Sequence, residues 1–241
     1  MTETLVLLPG LLCDSVIWKH QVEALGATYD VRIADLTGYS SITDMAASVL
    51  QAMPPMISVA GHSMGARVAM EMVRLDPTRI ARLALLDTGI HPMRGSEVER
   101  RHALVELGAR EGMRAVALAW LPPMVAKGAF DADPSLQDDL FAMVERMTPA
   151  IHRGQIEALL RRPDPRAILP GIRCPVLVGV GELDAWSPPE QHREITNAIA
   201  HAQYVVFAGS GHMAPLEAPE QVSRALAAWM EMPVAMEMTH E

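Results

Sequence analysis

Three residues that can cooperate in nucleophilic catalysis stand far apart in this 241-residue chain: Ser63, Asp184 and His212. Ser63 is the centre of Gly61-His62-Ser63-Met64-Gly65, which follows an apolar run and precedes a stretch of helical period. The pattern G-x-S-x-G alone is weak; at ordinary Gly and Ser usage a chain of this length shows one by chance about one time in twelve. Its setting makes it specific. A sharp strand-to-helix turn puts the central residue into strained backbone angles, and flanking glycines let the backbone pass without a Cβ clash. The serine hydroxyl then projects at the carboxyl end of a strand, above a helix N-terminus that favours negative charge. A serine nucleophile needs a base, and the base needs an orienting acid. Asp184, in Gly181-Glu182-Leu183-Asp184, and His212, in Gly209-Ser210-Gly211-His212, each follow an apolar run. The order Ser63, Asp184, His212 suits a hydroxyl nucleophile at the top of a parallel sheet. Two main-chain donors complete the set as an oxyanion hole: the N–H of Met64, and that of Leu11 in the turn Pro9-Gly10-Leu11-Leu12.

These residues need elements to hold them. Residues 4–8, 29–34, 56–60, 80–86, 174–180 and 203–207 read as strands, nearly all apolar rather than alternating. Residues 15–25, 42–53 and 63–75 read as helices. Continuous apolar strands separated by helices predict an α/β fold, a mostly parallel sheet covered on both faces, with right-handed crossovers. Between 87 and 174 the rhythm changes. Residues 96–109, 113–120, 136–147 and 151–160 have helical periods with proline punctuation and no strand. The predicted organisation is one structural domain: a core of residues 1–89 and 168–241, and a helical cap insertion of residues 90–167. The tail from 232 to 241 lacks packing signals.

Composition narrows the function. Hydrophobic residues at 50% and charged residues at 20% exclude wholesale disorder. A net charge of -9 argues against nucleic acid or an anionic membrane surface as a partner. No apolar run approaches the ~20 residues of a membrane helix. The start, Met1-Thr2-Glu3, has no basic segment of a secretory signal. Cys13 and Cys174 show no metal-ligand spacing and read as reduced thiols, so the expected location is cytoplasmic, with no cofactor and no metal. A small-molecule substrate is the expected partner; oligomeric state has no sequence signal. The 17 methionines read first as core packing.

The chain resembles the α/β-hydrolase family over nearly its whole length. The matching segments are the Pro9-Gly10 turn, residues 34–40, the Ser63 elbow, the strand from Cys174-Pro175 to Asp184, and Gly211-His212 followed by Glu217-Ala218-Pro219-Glu220. Two departures stand out. Many members carry His-Gly where this chain has Pro9-Gly10, and many have an antiparallel hairpin before the first parallel strand, which is not expected here. The resemblance implies a serine hydrolase with a helical lid over the site.

Each candidate has a plainer reading. Asp87 follows the strand at 80–86 and rivals Asp184 as the acid. His62 should point away from its neighbour and be structural. Glu217 and Glu220 read as partners of loop N–H groups or caps of the final helix. Leu12, Trp120 and Trp186 are the candidate substrate-binding residues, with plain packing as the rival for the tryptophans. The insertion's arginines (Arg94, Arg100, Arg101, Arg110, Arg114, Arg146, Arg153, Arg161 and Arg162) read mostly as a solvated face. One turned inward would hold a substrate carboxylate. Its methionines, Met93, Met113, Met124, Met143 and Met147, read as helix packing or an adaptable pocket.

The expected reaction is hydrolysis of a small, mostly apolar carboxylic ester or lactone through an acyl-enzyme on Ser63. Two alternatives remain: carbon–carbon bond hydrolysis or lyase chemistry on the same triad, and a non-enzymatic small-ligand receptor on the same fold. A dehalogenase would need Asp at position 63.

Overall fold

The computed structural model describes residues 2–93 and 95–234. Arg94 and the part of the predicted loose tail from 235 onward lie outside the described residues. Six parallel strands form one sheet: β1 (Thr4–Leu8), β2 (Asp30–Ile33), β3 (Ile57–His62), β4 (Ile80–Leu86), β5 (Val176–Gly181) and β6 (Gln203–Phe207), in the order β2-β1-β3-β4-β5-β6. This is the expected fold class. Every residue of β1, β3, β4 and β5 is buried, although successive side chains point to opposite faces, so both faces are covered. The edge strands β2 and β6 carry polar residues and stay half-buried, which blunts the two open edges.

Helices connect the strands: α1 (Lys19–Leu25) and α2 (Ile42–Ala52) flank β2, and α3 (Met64–Leu75) joins β3 to β4. The helix expected over residues 15–25 is divided. Asp14 accepts the Val16 N–H and opens a 3-10 turn, Ser15–Trp18, and Trp18 then adopts non-helical angles before α1 begins. Strand β5 starts two residues later than expected. Pro175 has no N–H to give a ladder; its carbonyl instead takes the Leu83 N–H.

Between β4 and β5 the described chain is helical: α4 (Gly95–Glu111), α5 (Met113–Trp120), α6 (Ala129–Ala132), α7 (Pro134–Glu145) and α8 (Pro149–Leu160). Proline at the first turn of α7 and of α8, with Asp133 and Thr148 as caps, sets where these helices begin. Helix α4 packs on α5 and α8, and α5 on α7. After β5 come α9 (Pro189–Ala198), then β6, α10 (Ala214–Glu217) and α11 (Pro219–Met230). Helix α9 has no legible apolar stripe because only His192 and Ile195 are buried on it.

The strand order places the site. The chain leaves β1 toward β2 and returns on the other side as β3, so β1 and β3 are neighbours, with Leu8 opposite Gly61. Their carboxyl ends diverge into different turns, and that is where open parallel sheets leave a crevice. The turn after β1 carries Leu11, the turn after β3 carries Ser63, and the loops after β5 and β6 carry Asp184 and His212.

Candidate active site

Ser63 sits at the end of β3 with φ 53° and ψ −110°. A non-glycine residue there costs on the order of 1–3 kcal/mol and persists only where the surroundings enforce it. They do. Its N–H donates to the Leu86 carbonyl (2.8 Å), and its own carbonyl accepts the Thr88 hydroxyl (3.1 Å). The two glycines of the motif have a steric cause. A Cβ at Gly61 would stand 2.4 Å from the Ala66 nitrogen, and one at Gly65 2.1 Å from the Leu8 carbonyl oxygen. No other residue lets α3 pack so close beneath the turn.

The structure brings Ser63, His212 and Asp184 together. His212 Nε2 lies 2.9 Å from Ser63 Oγ, and His212 Nδ1 lies 2.7 Å from Asp184 Oδ2. The other Asp184 oxygen accepts the N–H groups of Trp186 and Ser187, both at 2.8 Å. Burial works against the Asp184 charge, but the facing His212 and these hydrogen bonds prevail and keep its pKa below the usual carboxylate range. Glu217 accepts the N–H groups of Gly211, Met213 and Ala126, so it ties the His212 loop to the segment between α5 and α6. The His212 N–H donates to the Met124 carbonyl in that same segment (2.8 Å).

Asp87, the rival acid, lies close by but does not reach His212. It is fully buried and accepts the Gly181 N–H (2.8 Å). Burial first, and then the Asp184 charge, raise its pKa well above the ordinary value. His62 turns away from Ser63 as expected and donates from Nε2 to the His212 carbonyl (2.8 Å). Burial pulls the pKa of His62 down to about 3, so its ring is neutral. Sequence reasoning missed His192. Its Nε2 accepts the Thr88 N–H (2.7 Å), which requires an unprotonated nitrogen, and burial takes its pKa to about 4.

Two main-chain donors flank Ser63. Met64 is the first residue of α3, so its N–H has no partner inside the helix. Among the described residues neither it nor the Leu11 N–H donates a hydrogen bond. The turn is closed by the Cys13 N–H on the Gly10 carbonyl (3.2 Å), with Leu12 at φ 56° in the left-handed third position of a type II turn. Leu12 corrects an expectation. It does not line the cavity; it is fully buried, and its N–H donates to Gln155 Oε1 on α8 (2.9 Å).

A cavity of about 350 Å³ opens above Ser63, between the strand ends and α4, α5 and α8. That volume suits a small ligand. Leu11, Trp120, Met124 and Leu159 give it an apolar wall. Of the insertion's methionines, Met113, Met143 and Met147 are packed in the core and Met93 is exposed. Trp186 stands at the cavity with the Arg101 guanidinium 5.8 Å from its ring centroid. Charged residues line the cavity as well. Arg67, Arg100, Arg101 and Arg162 all line it, with Glu97 among them. Glu97 bonds to both Arg101 and Arg162; against the cost of burial, those contacts hold its pKa at about 2. Arg67 was not singled out from the sequence. The available signal was its place in the first turn of the helix that follows Ser63.

The α/β hydrolase family model matches residues 5–225, and the chain belongs to that family. It is an enzyme of the hydrolase type. A curated relative from Acinetobacter baylyi, (E)-2-((N-methylformamido)methylene)succinate hydrolase, is 24% identical over 95% of this chain and 90% of its own. The pimeloyl-[acyl-carrier protein] methyl ester esterase of Xanthomonas oryzae pv. oryzae is 28% identical, covering 92% of each chain. A thermophilic esterase from Thermogutta terrifontis, solved with malate bound, superposes with a TM-score of 0.87 at 28% identity, over 95% of this chain and 89% of that one.

Proposed function

We propose that this α/β hydrolase is a serine hydrolase that cleaves a carboxylic ester or lactone through an acyl-enzyme. The observation that carries the reading is the hydrogen-bonded chain from Ser63 through His212 to Asp184 at the floor of a cavity. In this mechanism His212 Nε2 takes the Ser63 proton as Oγ attacks the carbonyl carbon, and Asp184 stabilises the imidazolium that forms. The N–H groups of Leu11 and Met64 receive the oxyanion. His212 then protonates the leaving alcohol, and a water, deprotonated by His212, releases the acid from Ser63. Residues 90–167 act as the lid that excludes bulk water. The free cysteines Cys13 and Cys174 support a cytoplasmic setting. The esterase relatives support the bond type.

The test is labelling with a fluorophosphonate and turnover of an activated ester, with Ser63→Ala as control. Labelling and turnover, both lost in the variant, are expected; a wild type that does neither refutes the reading.

A second reading, carbon–carbon bond hydrolysis on the same residues, is favoured by the arginines that face the cavity. A β-diketone separates the two: its hydrolysis to an acid and a ketone, with esters left intact, favours the second reading.

A further inference from the structure

We propose that the cavity holds an anionic group of the substrate, a carboxylate a few bonds from the scissile carbonyl, on Arg67 with Arg101 and Arg162 beside it. This rests on the serine-hydrolase reading and adds a substrate class to it. The cavity wall has four arginines against one acid, in a chain whose net charge is -9. Positive charge is therefore concentrated here against the trend of the whole molecule. Glu97 bonds to Arg101 and Arg162, and Arg67 feels it and Asp164 only as nearby charges, with no hydrogen bond to either. The Arg67 guanidinium makes no hydrogen bond or ion pair with any described residue, although it is half-buried. Burial, and then the neighbouring Arg162 charge, pull its pKa down to about 9. Arginine keeps its proton at neutral pH, so the site holds a desolvated cation that an incoming anion would neutralise.

A purely structural arginine would be paired, as Arg162 is through two nitrogens to Glu97. Position also fits. Arg67 stands in the first turn of α3, and it lines the same cavity as Ser63. A substrate whose carbonyl sits on Ser63 thus has an arginine within the same cavity to receive a charged group further along its acyl chain. The planar fork of arginine matches a carboxylate through two parallel N–H bonds. The apolar wall at Trp120, Met124 and Leu159 remains for the intervening carbons.

The experiment compares two esters of similar length, the mono-4-nitrophenyl ester of glutaric acid and neutral 4-nitrophenyl hexanoate. The wild type is expected to favour the charged ester by about tenfold or more in kcat/KM. In Arg67→Met that ratio falls by about tenfold, mainly through KM, and Arg67→Lys recovers part of it. Calorimetry with glutarate needs no turnover and tests the anion site by itself. Binding to the wild type that is at least tenfold weaker in Arg67→Met supports the proposal. Fluorophosphonate labelling with equal kcat/KM for both esters overturns it and leaves the serine-hydrolase reading intact. Glutarate binding without labelling does the reverse. Inorganic phosphate that competes as well as glutarate overturns the carboxylate assignment.

Discussion

The backbone N–H of Leu12 donates to Oε1 of Gln155 at 2.9 Å, a bond that joins the turn after β1 to helix α8. Both residues are fully buried, and 143 positions separate them. The turn is left-handed at Leu12 and carries Leu11, the proposed oxyanion donor, one residue earlier. Helix α8 therefore holds the turn as well as lining the cavity. Replacing Gln155 with Met removes the acceptor and orphans a buried N–H, a loss of about 1–3 kcal/mol. Urea unfolding should show it. On an activated ester, kcat should fall about tenfold with a smaller change in KM, since the donor acts on the transition state. A destabilised protein with unchanged kcat would mean that the turn keeps its shape without α8.

Asp184 and Asp87 are both buried carboxyls at strand ends, and their electrostatics diverge. Asp184 faces His212 and holds a lowered pKa, whereas Asp87 is pushed toward the neutral acid. Asp184→Asn removes the partner charge and the tautomer control of His212; a loss of about 10³–10⁴ in kcat is expected. Asp87→Asn replaces a carboxyl that burial pushes toward its neutral form with an amide of the same shape, and keeps the acceptor for the Gly181 N–H. Its kcat should stay within about threefold of wild type. Steady-state kinetics on the two variants decides the assignment, and the opposite ranking would move the acid to Asp87.

Most of this was legible because it is periodic or local. The central strands are continuous apolar runs, and β1, β4 and β6 begin and end where those runs do. Ser63, Asp184 and His212 could be placed because each follows such a run directly. Features made by long-range packing were not legible. Gln155 looks like any helical glutamine until α8 lies over Leu12. His192 lies on a helix with two buried residues and no visible stripe. Arg67 reads as a solvent arginine of an amphipathic helix, yet the cavity lies over that face. The polarity of the cavity depended on which of the insertion's arginines turn inward, and spacing alone does not fix that.

Acid should weaken the fold through three histidines. His62, His152 and His192 have pKa values of about 3, 4 and 4, each lowered first by burial. Between those values and about 6.5 the unfolded chain binds protons that the native state refuses, so stability rises with pH across that window. Each group contributes a slope of at most about 1.4 kcal/mol per pH unit. Asp87 opposes them: its raised native pKa makes the folded state the better proton binder above pH ~4. Glu217, raised by burial, acts in the same sense as Asp87; three histidines against two carboxyls still leave a net loss on acidification. Urea titrations at pH 7 and pH 5 should show the midpoint falling at the lower pH. Replacing His192 with Gln, which keeps an acceptor for the Thr88 N–H, should shrink that difference. A midpoint that does not move between the two values would show that these rings protonate freely in the folded protein.

The strain at Ser63 makes a prediction that is independent of chemistry. At ordinary positions glycine is less stabilising than alanine by roughly 0.5–1 kcal/mol, because it loses more backbone freedom on folding. At φ 53° and ψ −110° the order should reverse. Ser63→Ala keeps the Cβ and the strain, whereas Ser63→Gly removes both. Neither variant retains the hydroxyl, so their difference isolates the backbone. Ser63→Gly should be the more stable by about 1 kcal/mol in urea unfolding, the strain released less the entropy of glycine. If Ser63→Ala is the more stable of the two, the turn after β3 is not under the load its angles imply, and the positioning of the hydroxyl must come from the Leu86 and Thr88 hydrogen bonds alone.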